Sequence, residues 1–371
     1  MYIFLLINHL IPANLLGMIE KPSLLYIVQF IIFIMFYTIH SRRIRFDLSV
    51  IILIIINIVY LAIINLFANS DLDNLMRASR IPLSLLIVHV SVQMYSSRDN
   101  KIKLTCNHIN YLLILNITFS YYHLIVNHNS LIDFYNPRDA LQWLGYQTGG
   151  LFVWSYSLGY IILTLLFIQY IRRNKYVHIY IIISAPILIL TQSKSVFISC
   201  FLCGVYIFCK MHLAPKILII LLCIINISYL SKVYLELGNI VRFIDALANG
   251  TQDGSTFTRS QQAAQVWRSI QENVFGGGGP LLIETGYIHY LYFYGLIGFS
   301  LFIFTLFTVI RQHATAGFWW YLIILFVPAN LSFIPLESPK AWLINCILFG
   351  VVLVEIYHNK KTGNARLEAA G

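Results

Sequence analysis

A chain of 371 residues in which 58% are hydrophobic and 11% charged, with a mean hydropathy of +0.74, lies far from the soluble globular average of about 25% charged residues. That balance excludes a soluble fold and predicts an all-α polytopic integral membrane protein, because continuous apolar runs satisfy their backbone groups in a bilayer only as helices. The formal net charge of +10 invites a nucleic-acid reading, but the cations fall in alternate loops, as in the clusters Arg42, Arg43, Arg45 and Arg172, Arg173, Lys175. This is the pattern of cytoplasmic loops, and no nucleic-acid partner is expected.

In chain order the apolar runs predict about 12 transmembrane helices, over 2–18, 24–40, 48–67, 81–95, 104–126, 149–171, 176–190, 195–209, 217–231, 285–310, 318–334 and 341–357. Together they make one membrane domain spanning 1–371, with both termini cytoplasmic. The first run reads as a span, not as a cleaved signal. Between the third and fourth spans, the outer loop ANSDLDNLMRASR carries Arg77 and Arg80 against the positive-inside bias. These two either bind a ligand or pair with Asp71 or Asp73. In the next outer loop, Asp133, Arg138 and Asp139 flank Asn136-Pro137 and read as a turn with local salt bridges.

TQSKS, residues 191–195, lies between two spans with Lys194 at the mouth of the second. That lysine either snorkels to the interface or binds an anion at the helix N-terminus. Residues 232–284 form the largest polar segment, a loop on the non-cytoplasmic side. Its first part repeats Leu237, Ile240, Val241, Ile244 and Leu247 at helical spacing, which predicts an amphipathic helix on the membrane surface. Arg242 on its flank is either a headgroup contact or part of a site.

The second half of the loop joins polar chemistry to a new apolar run. A helix over 259–274, capped by Thr258 with Gln261, places Arg259, Ala263, Val266, Trp267, Ile270 and Val274 on one face and Arg268 on the other. Gly276, Gly277, Gly278 and Gly279 follow, then Pro280 and the carboxylate Glu284. The glycines read as a hinge or as backbone that can approach a phosphate closely, and Glu284 as a solvated acid or a general base. No histidine pairs with a carboxylate at ligand spacing, and Cys200-x-x-Cys203 stands alone inside an apolar run, so neither metal nor cofactor is expected.

TQSKS, a loop arginine, a glycine turn and a polar residue eleven before the glycine of YGLIG together resemble the O-antigen polymerase (Wzy) and O-antigen ligase (WaaL) superfamily. TQSKS is similar to that family's T-x-S-R, with Lys194 in place of arginine. Arg259 stands 18 residues before Gly277, as the loop arginine does before the family's G-x-G. Glu284 stands eleven before Gly295 where the ligases carry histidine, and the polymerases are similar to this version.

The resemblance implies a GT-C-like polymerase of the bacterial inner membrane with its active site facing the periplasm. Its donor and acceptor would be glycans on undecaprenyl diphosphate, and its other partners membrane lipids and a separate chain-length regulator. In it Glu284 would be the catalytic base, and Arg259, Lys194 and Gly276 to Gly279 would bind the diphosphate. Outside the positions that carry the resemblance, Arg242, Arg77, Arg80, Tyr287 and His289 are read from the chain itself as further substrate or diphosphate contacts, and Tyr290, Tyr292 and Trp267 as glycan contacts. Ligase and lipid-linked oligosaccharide transporter are the alternatives.

Overall fold

The computed structural model describes residues 1–11, 22–40, 47–67, 72–96, 104–126, 151–152, 155–191, 193–210, 245–246, 248–249, 254–276, 286–311, 316–332 and 341–368. Among these the ordered elements are all helical: α1 (Tyr2–Leu10), α2 (Pro22–His40), α3 (Leu48–Phe67), α4 (Leu72–Ser96), α5 (Cys106–Val126), α6 (Ser155–Ile171), α7 (Val177–Leu190), α8 (Lys194–Lys210), α9 (Gly254–Glu272), α10 (Gly286–Ile310), α11 and α12 (Trp342–Glu368). α11 is Ala316–Tyr321 and Val327–Ser332 joined by a π-helical turn, Leu322–Phe326.

Several expected boundaries move. α1 stops at Leu10, where Ile11 turns extended, so the described helix is nine residues and not a full span. α4 begins at Leu72 and takes Arg77 and Arg80 into helical backbone, which corrects their placement in a loop; it continues through Pro82. α9 begins at Gly254, so Thr258 lies inside the helix and is not its cap. Residues 217–231 and the turn around Asn136-Pro137 lie outside the described residues, as does nearly all of the 232–250 stretch.

α6 and α12 form the centre. Leu158, Ile161, Ile162, Leu165 and Ile168 of α6 are fully buried, as are Trp342, Leu348, Phe349 and Val351 to Val354 of α12. A helix apolar all round belongs in a core or against lipid, and these two take the core. The outer helices bury one side only: α3 exposes Ile52, Ile55, Ile56, Val59, Ile63 and Leu66, and α10 exposes Leu296, Ile297, Ile303, Phe304 and Phe307. The isoleucine-rich α3 has poor intrinsic helix propensity, so context, not propensity, makes it a helix. Its start is fixed by Asp47, whose Oδ1 accepts the Ser49 amide (3.0 Å) and hydroxyl (2.5 Å).

Buried polar bonds set the helix directions. The Trp342 indole donates to Ser84 Oγ (2.7 Å) and the Tyr95 hydroxyl to Glu355 Oε1 (2.5 Å), so α4 and α12 run parallel. Arg172, just past α6, donates to the same Glu355 oxygen (2.5 Å) and to the Tyr95 hydroxyl, which brings the ends of α4 and α6 to the middle of α12. Burial opposes the Arg172 charge, but its neighbours, the Glu355 carboxylate and Tyr95 foremost, together hold the guanidinium pKa above its ordinary value. Arg172 is therefore a buried partner, not the solvated loop charge expected. Asn57 donates to Thr305 Oγ1 (2.8 Å) and Tyr60 to Tyr294 O (3.1 Å), making α3 and α10 antiparallel.

Among the described residues α10, 25 residues at a mean hydropathy of 2.2, is the helix long and apolar enough to cross a bilayer by itself. The apolar stretches 48–64, 156–171, 177–190 and 342–357 are shorter than about 18 residues.

Candidate functional site

α10 is two helices in one. At Gly295 the backbone takes φ 60°, ψ −174°, a conformation open in practice to glycine alone. The end of α9 docks into this break. Gly276, at φ 86°, lies so near Gly295 that a Cβ on either residue would strike the other's backbone.

The amide freed at Leu296 donates to Val274 O (2.9 Å), and the Tyr60 hydroxyl reaches Phe275 O (3.0 Å) as well as Tyr294 O. Asn273 shapes the turn, accepting the Phe275 amide at Oδ1 (3.0 Å) and donating through Nδ2 to Gly276 O (2.8 Å). Groups released by a broken helix must find partners nearby, and here α9 and α3 supply them. The Gly276 amide points to Asn273 O (3.3 Å), so this first glycine serves packing. Gly277, Gly278, Gly279 and Glu284 lie outside the described residues, as does Arg242.

α9 lies along the first half of α10, with Val266 and Ile270 buried against Ile288, Leu291 and Tyr292. Arg259 and Ala263 share that face half-buried, and Arg268 is exposed. Trp267, expected on the packed face, is 61% exposed, and Val274 is exposed beyond the helix end. The reason is width. Among the described residues α10 is the main helix packed on α9, and Trp267 sits about 80° around from Arg259, at the edge of the stripe.

Thr191, Ser193, Lys194 and Ser195 of TQSKS stand where α7 gives way to α8. Thr191 is buried with Oγ1 bonded to Leu188 O (2.7 Å), Ser193 and Ser195 pair through their hydroxyls (3.0 Å), and Lys194, half-buried, opens α8. α8 and α11 are antiparallel neighbours. Tyr206 packs on Trp320 with centroids 5.5 Å apart, and Cys200 and Ile324 line one cavity, so the Lys194 turn comes to the Val327–Ser332 end of α11. Tyr287 donates to Val327 O at that same end (3.4 Å). His289, half-buried, packs its ring on Phe293 at 4.6 Å. Arg80, also half-buried, gives its carbonyl to Ser84 Oγ (2.7 Å), one turn before the start of α12. The Arg77 side chain is outside the described residues.

One end of the bundle thus carries Arg80, Lys194, Tyr287, His289 and Arg259, on helices that adjoin in the order α8, α11, α10, α9, with α4 against α10. The opposite end holds Tyr95, Arg172 and Glu355. Between the two ends lies an apolar groove of about 410 Å³, walled by α6, α7, α8 and the π turn of α11.

Sequence reading missed Tyr60, which lies inside an apolar run with no local signal. It also missed Asn273, although an asparagine just ahead of a glycine run is a turn signal in its own right.

Comparison with family models, curated proteins and solved structures finds no match to this chain. Fold and site define a many-helix, all-α protein with apolar outer faces and its described candidate residues at one end.

Proposed function

We propose that the chain is a membrane-embedded glycosyltransferase, and more particularly an O-antigen-type polysaccharide polymerase. The observation that carries the reading is the gathering of Arg80, Lys194, Tyr287, His289 and Arg259 at one end of the bundle. The exposed apolar faces of α3 and α10 suit lipid. In this reading the protein crosses the bacterial inner membrane many times, with both termini in the cytoplasm and the cation-bearing end at the periplasm.

The reaction joins two glycans carried on undecaprenyl diphosphate. Glu284 takes the proton of an acceptor sugar hydroxyl, whose oxygen bonds to the donor's anomeric carbon. The bond from that carbon to the diphosphate oxygen breaks, and the leaving diphosphate is held by Arg259 and Lys194. Protein cations alone suffice for that charge, and chain length is set by a separate regulator.

The test is Glu284→Gln in the source bacterium, read as the lipopolysaccharide profile on a gel. The reading predicts core bearing a single repeat unit. Bare core with accumulated lipid-linked polymer would indicate a ligase, unflipped lipid-linked units a transporter, and a normal ladder would remove Glu284 from the mechanism. Arg259→Ala should reproduce the defect while exposed Arg268→Ala leaves the ladder intact; equal effects would contradict the assignment of Arg259.

A further inference from the structure

We propose that the groove between α6, α7, α8 and the π turn seats the hydrocarbon chain of the lipid-linked substrate, with its diphosphate at Lys194. This inference rests on the reading of the protein as a transferase acting on polyprenyl diphosphates. The groove's position and form come from the geometry that follows.

The walls are almost wholly apolar. Leu166, Phe167, Leu188, Phe197 and Ile324 supply them, and Tyr170, Tyr206, Cys200 and Cys203 are the lining residues that carry a polar atom in the side chain. Apolar cavities stay dry and take apolar guests, and roughly 150 Å³ suffices for one benzene ring. At about 410 Å³ this groove has room for a much longer hydrocarbon.

The groove follows α8. Along that helix the lining runs from Phe197 to Tyr206, nine steps or about 14 Å, long enough to lay a hydrocarbon chain against it. The slot opens sideways, because Ile189 is 40% and Phe201 64% exposed at its rim. A chain can therefore enter from a surrounding bilayer without passing through the protein. Two of its walls depart from regular α-helix: α7 contains Pro186 beside the lining residue Ala185, and α11 has its π turn there. π turns inside helices recur at functional sites.

The cation selects the occupant. Lys194, Phe197, Cys200, Phe201 and Gly204 follow one another at helical spacing along a single face of α8, so Lys194 caps the stripe that lines the slot. A cation one turn from the end of an apolar groove fits an anion attached directly to a hydrocarbon chain. That is the form of a polyprenyl diphosphate. A phospholipid instead places a glycerol between its phosphate and its two chains, so its anion does not stand directly on the hydrocarbon.

Gly204 provides the test. A Cβ built there meets nothing within 4 Å, so a larger side chain points into the slot without touching backbone, and leucine is a better helix former than glycine. The full chain would be reconstituted in phosphatidylethanolamine–phosphatidylglycerol vesicles. It would then be photolabelled with a diazirine-bearing C55 polyprenyl diphosphate, the labelled peptides being read by mass spectrometry.

The proposal predicts labels between residues 181 and 206, reduced at least tenfold in Gly204→Leu and within about twofold of wild type in Gly204→Ala. Lys194→Met should weaken labelling by the diphosphate but not by a polyprenol of equal length. Unchanged labelling of Gly204→Leu would overturn the proposal, as would equal labelling of the slot by a diazirine phospholipid. Labelling as predicted in a protein that does not elongate glycans would instead overturn the polymerase reading and leave the chain site standing.

Discussion

Gly295 links sequence to architecture at the scale of one residue. The resemblance uses it as the end of an eleven-residue count from Glu284, and the fold uses it to break α10 and admit the end of α9. Gly295→Ala must hold a left-handed, glycine-only conformation and also drive a methyl into the backbone of Val274, Phe275 and Gly276. The strain alone costs about 1–3 kcal/mol, and the clash adds to it. Tyr60→Phe keeps the ring and loses one hydroxyl shared by Phe275 O and Tyr294 O, a cost of about 0.5–1.5 kcal/mol. Thermal unfolding in detergent should rank the variants Gly295→Ala below Tyr60→Phe below wild type; Gly295→Ala at wild-type stability would show that the α9–α10 junction is not built as described. The glycine's importance was legible in the count, but its reason was not. The Tyr60 partner Phe275 is 215 residues away, and no local pattern announces such a contact.

At the scale of elements, periodicity served best where one neighbour does the packing. The face of α9 through Arg259, Ala263, Val266 and Ile270 follows from helical phase, and only its edge, at Trp267, was misplaced. Its start was misread because Thr258 and Gln261 have the form of a capping box, yet nothing between Gly254 and Thr258 stops the helix from beginning a turn earlier. For α3 the cap was not recognised: Asp47 lies at the edge of a basic cluster and reads as one more loop charge. Its bond from the Ser49 hydroxyl holds its carboxyl below the ordinary value of 3.8. A depressed carboxyl stabilises fully above its unfolded-state pKa and loses that contribution as pH falls through the folded value. Asp47→Ala should therefore cost about 1 kcal/mol at neutral pH, Asp47→Asn much less, and the Ala deficit should shrink as pH drops below the ordinary aspartate range. A deficit independent of pH, measured by the same unfolding assay, would show that the charge plays no part in the cap.

At the scale of the whole molecule, the positions of most helices were legible, because apolar runs bounded by charge mark them plainly. α3, α7 and α10 begin and end within a residue of the apolar runs. Helix directions and the central placement of α6 and α12 were not legible, since every run looks alike in composition and only pairs such as Ser84 with Trp342 distinguish neighbours. The same limit hid the slot, which four separate segments build. It also hid the pairing of Arg172 with Glu355, which closes one end of the bundle and leaves the other to Arg259, Lys194 and Arg80. The central claim is that this second end joins lipid-linked glycans. It is tested most directly by incubating the purified protein, in vesicles containing a chelator, with a defined C55-diphosphate-linked repeat unit and resolving the products by length. The account predicts a ladder of lipid-linked oligomers from wild type and none from Glu284→Gln; wild-type protein that leaves the repeat unit unextended, or extends it only onto lipid A core, would contradict it.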